Sequence, residues 1–74
     1  MQVKSEVAVI DARGLSSPMP VLMIQKAMKT KADNYEVLVD SEASCESVTK
    51  FSKDQGYKVA VEEKNGDFFI KIFQ

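Results

Sequence analysis

Residues 57–73, YKVAVEEKNGDFFIKIF, constrain the fold more than any other stretch of this chain. Two segments of alternating apolar and polar residues flank Asn65 and Gly66, the dipeptide most favoured in a type I′ hairpin turn. A two-residue turn fixes the register of the strands it joins, so Val61 is expected opposite Ile70. The sequence therefore predicts a β-hairpin at its C-terminal end.

The predicted hairpin has one apolar face and one mixed face, because side chains alternate along a strand. The apolar face takes Val59, Val61, Ile70 and Ile72. The mixed face takes Lys58, Ala60, Glu62, Phe69, Lys71 and Phe73. Uncovered aromatic side chains on that face favour a weak homodimer through it. Phenylalanines interleaved with lysines also stack bases in some RNA-binding sheets, which leaves RNA contact open as a weaker alternative.

A strand and a helix are predicted at the other end of the chain. EVAVID, residues 6–11, is short, β-branched and apolar, as is typical of a buried strand. From Val21 to Lys31 the pattern is helical. The apolar stripe of that helix consists of Val21, Ile24, Ala27 and Met28.

A second strand and helix follow in the middle of the chain. YEVLVD, residues 35–40, is the strand, and the helix after it has N-cap candidates in Ser41 and Ser44. This helix is predicted to continue to about Gln55, with Gly56 as its C-capping residue.

The element order is therefore β-α-β-α-β-β, without a repeat or linker. A chain of 74 residues is expected to form one domain, residues 1–74. Right-handed crossovers place both helices on one face of the sheet. The predicted fold is a two-layer α/β sandwich, a four-stranded mixed sheet with two helices on one face and the other face open.

The composition narrows the chemistry that this chain can perform. It has no histidine and one cysteine, so neither a metal site nor an internal disulfide is expected, and no cofactor is implied. The net charge of −1 argues against direct nucleic-acid binding. No apolar run approaches the length of a membrane span or a signal peptide, so a cytoplasmic protein without membrane contact is expected.

The segment GLSSPMP, residues 14–20, contains both prolines of the chain. It falls where the first strand gives way to the first helix, and prolines are tolerated in a first helical turn. Ser17 is the predicted N-cap, with Pro18 as the first helical residue. The segment is thus a stiff turn, which serves either simple capping or the presentation of Ser17.

This segment resembles the signature of the TusA/SirA-like family of small sulfur-carrier proteins. The family pattern is an acidic residue, then Gly-Leu, one variable residue and Cys-Pro-x-Pro. The matching positions are Asp11, Gly14, Leu15, Pro18 and Pro20. The family domain is also β-α-β-α-β-β and of this length, so the resemblance extends over the whole chain.

The chain departs from the family pattern at Ser17, which aligns with the active cysteine. In the family, that cysteine accepts sulfur as a persulfide from a cysteine desulfurase or rhodanese-like donor and passes it to an acceptor protein, with tRNA thiolation among the outlets. Persulfide transfer needs a thiolate, which a helix N-terminus favours. Serine cannot hold a persulfide, and no histidine could activate it. The serine is either a natural substitution or an introduced replacement of cysteine.

Six residues around this turn are candidates for partner binding: Arg13, Gly14, Pro18, Met19, Pro20 and Leu22. Arg13 could steer an anionic partner or simply be solvated. Met19, Leu22 and Met23 either form an exposed apolar surface for partner docking or fold back over the core from the first turn of the helix. Cys45 is a displaced sulfur site or a small buried apolar residue.

The leading interpretation is a sulfur-relay protein with its persulfide position at residue 17, inactive in the serine form. Whether the chain is an enzyme stays open, because the active cysteine is missing. The alternatives are a non-catalytic interaction or regulatory module of the same fold and, more weakly, an RNA-binding domain.

Overall fold

Six elements follow one another in the predicted order in a computed structural model that describes residues 7–30 and 32–74. They are β1 (Val7–Asp11), α1 (Met19–Met28), β2 (Asn34–Val39), α2 (Glu42–Asp54), β3 (Lys58–Lys64) and β4 (Asp67–Phe73). Glu6 and Lys31, the predicted ends of β1 and α1, lie outside the described residues.

The four strands form one mixed sheet in the order β1-β2-β4-β3. β1 pairs with β2 in parallel, while β4 is antiparallel to both β2 and β3. Apolar residues of α1 and α2 share one core with the inward side chains of the sheet, so the predicted two-layer fold is confirmed. Within the described residues, neither helix is long and apolar enough to cross a bilayer.

The hairpin forms in the predicted register. Val61 lies opposite Ile70, and Val59 lies opposite Ile72. Its turn has positive φ at both central residues, 55° at Asn65 and 85° at Gly66. These signs are those of a type I′ turn, whose twist matches that of the strands it joins.

The core is centred on the two inner strands of the sheet. The fully buried side chains of β2 and β4 are Tyr35, Val37, Val39, Ile70 and Ile72, and those of the helices include Ile24 and Val48. Inner strands are covered by a neighbour on each side and by the helices on one face, which explains their complete burial.

The expectation that β1 is a buried strand is wrong for one of its faces. Val7 and Val9 are 48% and 72% exposed, whereas Ala8 and Ile10 contact the core. β1 is an edge strand, and its side chains alternate between the helical layer and the uncovered face of the sheet. A continuous apolar run was therefore not evidence of burial on both sides.

Both ends of α2 are closed as the sequence indicates. The Ser41 hydroxyl accepts a hydrogen bond from the Ser44 N–H at 3.1 Å, so Ser41 is the N-cap. At the other end Gly56 has a φ of 91°. The Tyr57 N–H donates to the Ser52 carbonyl at 3.1 Å and the Gly56 N–H to the Lys53 carbonyl at 2.9 Å, as in a Schellman motif.

Candidate functional site

The candidate site is the loop of residues 12–18, which leaves the carboxyl end of β1 and enters α1. Ala12 anchors the loop, since its side chain is buried and its N–H donates to the Leu38 carbonyl at 2.8 Å. This bond extends the β1–β2 pairing by one residue. The loop therefore begins at a fixed point on the edge of the sheet.

Arg13 ties this loop to two strands. Its Nε and Nη2 donate to the two carboxylate oxygens of Asp11 at 3.0 and 2.9 Å, and its Nη1 donates to Asp67 at 3.3 Å. The hydrogen-bonded guanidinium lowers the pKa of the Asp11 carboxyl, and the same bonds raise the pKa of Arg13. Arg13 is thus ion-paired and not merely solvated, and its role in steering a partner stays a prediction. Two carboxylates already pair with its single positive charge.

A second hydrogen bond links the backbone of the loop to Asp40, the residue that follows β2. The Gly14 N–H donates to Oδ2 of Asp40 at 2.9 Å, across 26 positions of sequence. Gly14 has a φ of 79°, a backbone conformation that residues with a Cβ rarely adopt. Gly14 therefore shapes the loop and donates its amide N–H to Asp40, and its contact with a partner stays a prediction.

The start of α1 differs from the prediction. The helix begins at Met19 with Pro18 as its N-cap, and Pro20 is the proline within the first turn. The Pro18 carbonyl accepts the first helical bond, from the Leu22 N–H at 3.1 Å. The Met19 N–H donates to the Ser16 carbonyl at 2.9 Å, so the turn backbone supplies the acceptor expected from a serine side chain. The Ser17–Pro18 peptide bond is cis.

Ser17 is consequently exposed and caps nothing, contrary to the N-cap prediction. It lies one residue before the N-cap, at the end of α1 where the helix dipole is positive. The turn thus presents the side chain of residue 17 to solvent.

Three large apolar side chains near Ser17 are partly exposed. Leu15 is 37%, Met19 is 44% and Leu22 is 42% exposed. The sequence singled out Met19 and Leu22 but missed Leu15, although its place in a polar loop was the available signal. Together these three residues are called the apolar collar below.

One candidate for partner binding lies away from this surface, and Met23 takes the second of the two places that the sequence left open for it. Pro20 is fully buried, and Met23 packs against the core. Helical geometry explains the burial of Pro20, because Pro20 lies one turn before Ile24 and so on the side of α1 that faces the sheet. Pro20 therefore supports the turn from beneath and cannot contact a partner in this conformation.

Cys45 belongs to the first turn of α2, and its side chain lies in the core. Its side chain is 8% exposed, and burial raises the pKa of its thiol. A raised pKa leaves the thiol protonated at neutral pH, the opposite of what a sulfur acceptor needs. The structure supports the interpretation of Cys45 as a small buried apolar residue.

We predict that Cys45 is unreactive in the folded chain. At pH 7.5 a water-soluble aromatic disulfide reagent should modify it at least about 100-fold more slowly than in denaturant, where access and the ordinary thiol pKa return. The rate is followed by absorbance of the released thiolate. Equal rates in the two conditions would show that Cys45 is accessible and reactive without unfolding.

The open face of the sheet does not have the charge pattern of an RNA-binding surface. In the register of the sheet, Lys71 lies opposite Glu36, and Phe69 lies opposite Glu62. Acidic side chains thus alternate with the lysines and aromatics of this face. A polyanion would meet no continuous positive surface there.

Comparisons with known proteins place these features in a family. The family model described as "Sulfurtransferase TusA" matches residues 8–73. The chain belongs to the TusA family. The crystal structure of a SirA-like protein from Desulfitobacterium hafniense is similar, with 31% identity and a TM-score of 0.82 over 90% of this chain and 95% of that one. A comparison with curated proteins gave no significant match.

The TusA-family match supports a role in sulfur relay with protein partners in general terms. Of the candidate site residues, the structure brings Arg13, Gly14, Ser17 and Pro18 into one loop, with Met19 and Leu22 on the adjoining exposed side of α1. Pro20 is the candidate that it separates from the surface.

Proposed function

We propose that this chain is a sulfur-relay protein whose acceptor position, residue 17, holds serine and therefore carries no persulfide. The observation that carries the proposal is the exposure of Ser17 at the start of α1, on a loop that hydrogen bonds to Asp40 and Asp67 hold in place. A family cysteine at this position would be accessible to a donor protein and close to a positive helix end.

The chemistry of sulfur transfer explains why serine is decisive. A thiolate attacks the outer sulfur of the donor's persulfide, a new S–S bond forms, and the donor cysteine leaves as a thiolate. A serine would have to lose a far less acidic proton and form an oxygen–sulfur bond instead. The transfer therefore stops at the donor when residue 17 is serine.

Among the described residues, no side chain forms a hydrogen bond with the Ser17 hydroxyl that could activate it. The chain has no histidine, and Arg13 is held in its charged form by Asp11 and Asp67. Asp40 already accepts the Gly14 N–H. In the described part of the chain, Ser17 therefore has no hydrogen-bonded general base of the kind that nucleophilic serines require.

The apolar collar is the proposed docking surface for the partners of a relay. A donor of the cysteine desulfurase or rhodanese-like class, and a downstream acceptor protein, would both have to reach residue 17. Leu15, Met19 and Leu22 lie within five positions of residue 17 in the sequence and are exposed, so a partner could bury them. Methionine adapts to different surfaces, which suits a protein that meets two partners in turn.

The second candidate function is a non-catalytic regulatory module that uses the same surface. The observation that favours it is the combination of Ser17 at the acceptor position with Cys45 buried in the core. Such a chain would occupy the donor's docking site without removing sulfur from it.

The test is a competition for a cysteine desulfurase. The Ser17→Cys variant is loaded with labelled sulfur in the presence of increasing amounts of the serine chain. We expect the serine chain to inhibit loading competitively, with an inhibition constant within about threefold of the variant's KM, since both share one docking surface. A serine chain that does not inhibit, beside a variant that does load, would contradict the proposal that its docking surface is intact.

A further inference from the structure

The open face of the sheet has a self-complementary arrangement across its two inner strands. Outward residues of β2 lie directly opposite outward residues of β4 in three rows. The rows are Asn34 with Phe73, Glu36 with Lys71, and Leu38 with Phe69. Charged residues of opposite sign thus occupy the centre, between two rows that contain aromatic side chains.

No element of the described chain covers this face, because both helices pack on the other one. Val9, in the same row as Glu36, is 72% exposed. Two shallow hollows lie on the face, one of about 210 Å³ beside Val7 and Phe73 and one of about 70 Å³ between Val9 and Leu38. The surface is therefore apolar along β1 at Val7 and Val9, and it is indented.

The central charges have no ion-pair partner among the residues that the structure describes. Directly opposed residues of antiparallel strands have Cβ atoms about 5 Å apart, close enough for their side chains to interact. Even so, Glu36 and Lys71 form no ion pair with each other or with any other residue that the structure describes. Their charged groups are available to a second molecule.

We propose that this open face binds a second copy of the same chain. A two-fold axis that runs between β2 and β4, parallel to the strands, places β2 of each copy over β4 of the other. Glu36 then faces Lys71 of the other copy twice, and Leu38 faces Phe69 twice. Symmetric dimers require this kind of reciprocity, in which a patch is complementary to itself.

The same two-fold axis brings a side chain of the second copy to the larger of the two hollows. It places Phe73 of the second copy over Asn34, which lines the hollow of about 210 Å³. A single operation thus places the outward residues of β2 over those of β4 in all three rows. This inference does not depend on the proposed sulfur-relay role, because it uses the face of the sheet opposite the helices.

The size of the face limits the strength of the dimer. Four strands set about 4.8 Å apart and about 20 Å long present roughly 300–400 Å² per copy, against about 800 Å² in a standard stable interface. The interface therefore belongs to the weak, transient class. Dissociation constants between about 10 µM and 1 mM are expected.

The test is a charge exchange at the central row. Molar mass is measured by sedimentation equilibrium from 10 µM to 2 mM for the parent, Glu36→Lys, Lys71→Glu and the double variant. Each single variant should weaken dimerisation at least tenfold, because like charges face each other twice. The double variant should recover to within about threefold of the parent. Glu46→Lys makes the same charge change as Glu36→Lys at an exposed position of α2, and it should leave dimerisation unchanged.

A measurement on the parent alone does not depend on the folding of the variants. Concentration-dependent changes in backbone amide chemical shifts should map to β2 and β4 and spare α1 and α2. A monomer throughout the concentration range, no recovery in the double variant, an equal loss in Glu46→Lys, or shift changes confined to the helices would each overturn the proposal.

Discussion

Replacing Ser17 with cysteine should convert a chain that takes up no sulfur into one that takes up about one sulfur atom per molecule from a cysteine desulfurase. The reason lies in the turn, which already presents residue 17 to solvent at the positive end of α1. The substitution exchanges one side-chain atom at an exposed site, so the fold should not change. Loading is measured by intact mass with isotope-labelled cysteine as the sulfur source, in a Cys45→Ala background.

Ser16→Cys in the same background is the matched control. Ser16 is also exposed and lies in the same loop, but one residue further from α1. If accessibility alone governed transfer, the two variants would load equally. We expect Ser16→Cys to load at least about tenfold more slowly, because its thiol is further from the helix end and outside the geometry set by Pro18. Equal loading rates would show that a thiol at position 17 has no advantage over a thiol at position 16.

Leu22→Glu in the Ser17→Cys variant should reduce the rate of sulfur loading at low donor concentration by roughly 10- to 100-fold. Leu22 is 42% exposed on the side of α1 that adjoins residue 17. A partner that buries this side chain gains from its apolar area, whereas a buried glutamate without a partner would cost about 1.5–3 kcal/mol. The effect should appear as a raised KM, with the rate at saturation largely kept.

Val61→Glu is the matched control for this substitution. Val61 is an apolar residue of similar exposure, 46%, but it lies on β3 at the far edge of the sheet from β1. It should leave the loading rate within about twofold of the starting variant, since rim and remote positions contribute little to binding. Comparable losses in both variants would place the donor contact elsewhere.

The fold was largely predictable because its strongest signals are local. Asn65 and Gly66 determine the hairpin register through their positive φ, and Ser41 and Gly56 close α2 through backbone hydrogen bonds a few residues away. Such interactions depend on neighbouring residues alone. Sequence patterns therefore carry them directly.

The details of the site were less predictable because they depend on residues that are distant in sequence. Asp67 contacts Arg13 only because β4 lies beside β2, and Asp40 reaches Gly14 from the end of another strand. The N-cap of α1 was misplaced by one residue for a different, local reason. The Ser16 carbonyl satisfies the Met19 N–H, so a side-chain acceptor from Ser17 is not needed.

The central claim is that the serine chain has no sulfur acceptor while it is folded. The direct measurement is the number of labelled sulfur atoms on the unmodified chain after incubation with a cysteine desulfurase and cysteine, with peptide mapping by mass spectrometry. We predict none at Ser17, which has no thiol, and none at Cys45, which is buried with a raised thiol pKa. Labelled sulfur on Cys45 of the folded chain would contradict this account.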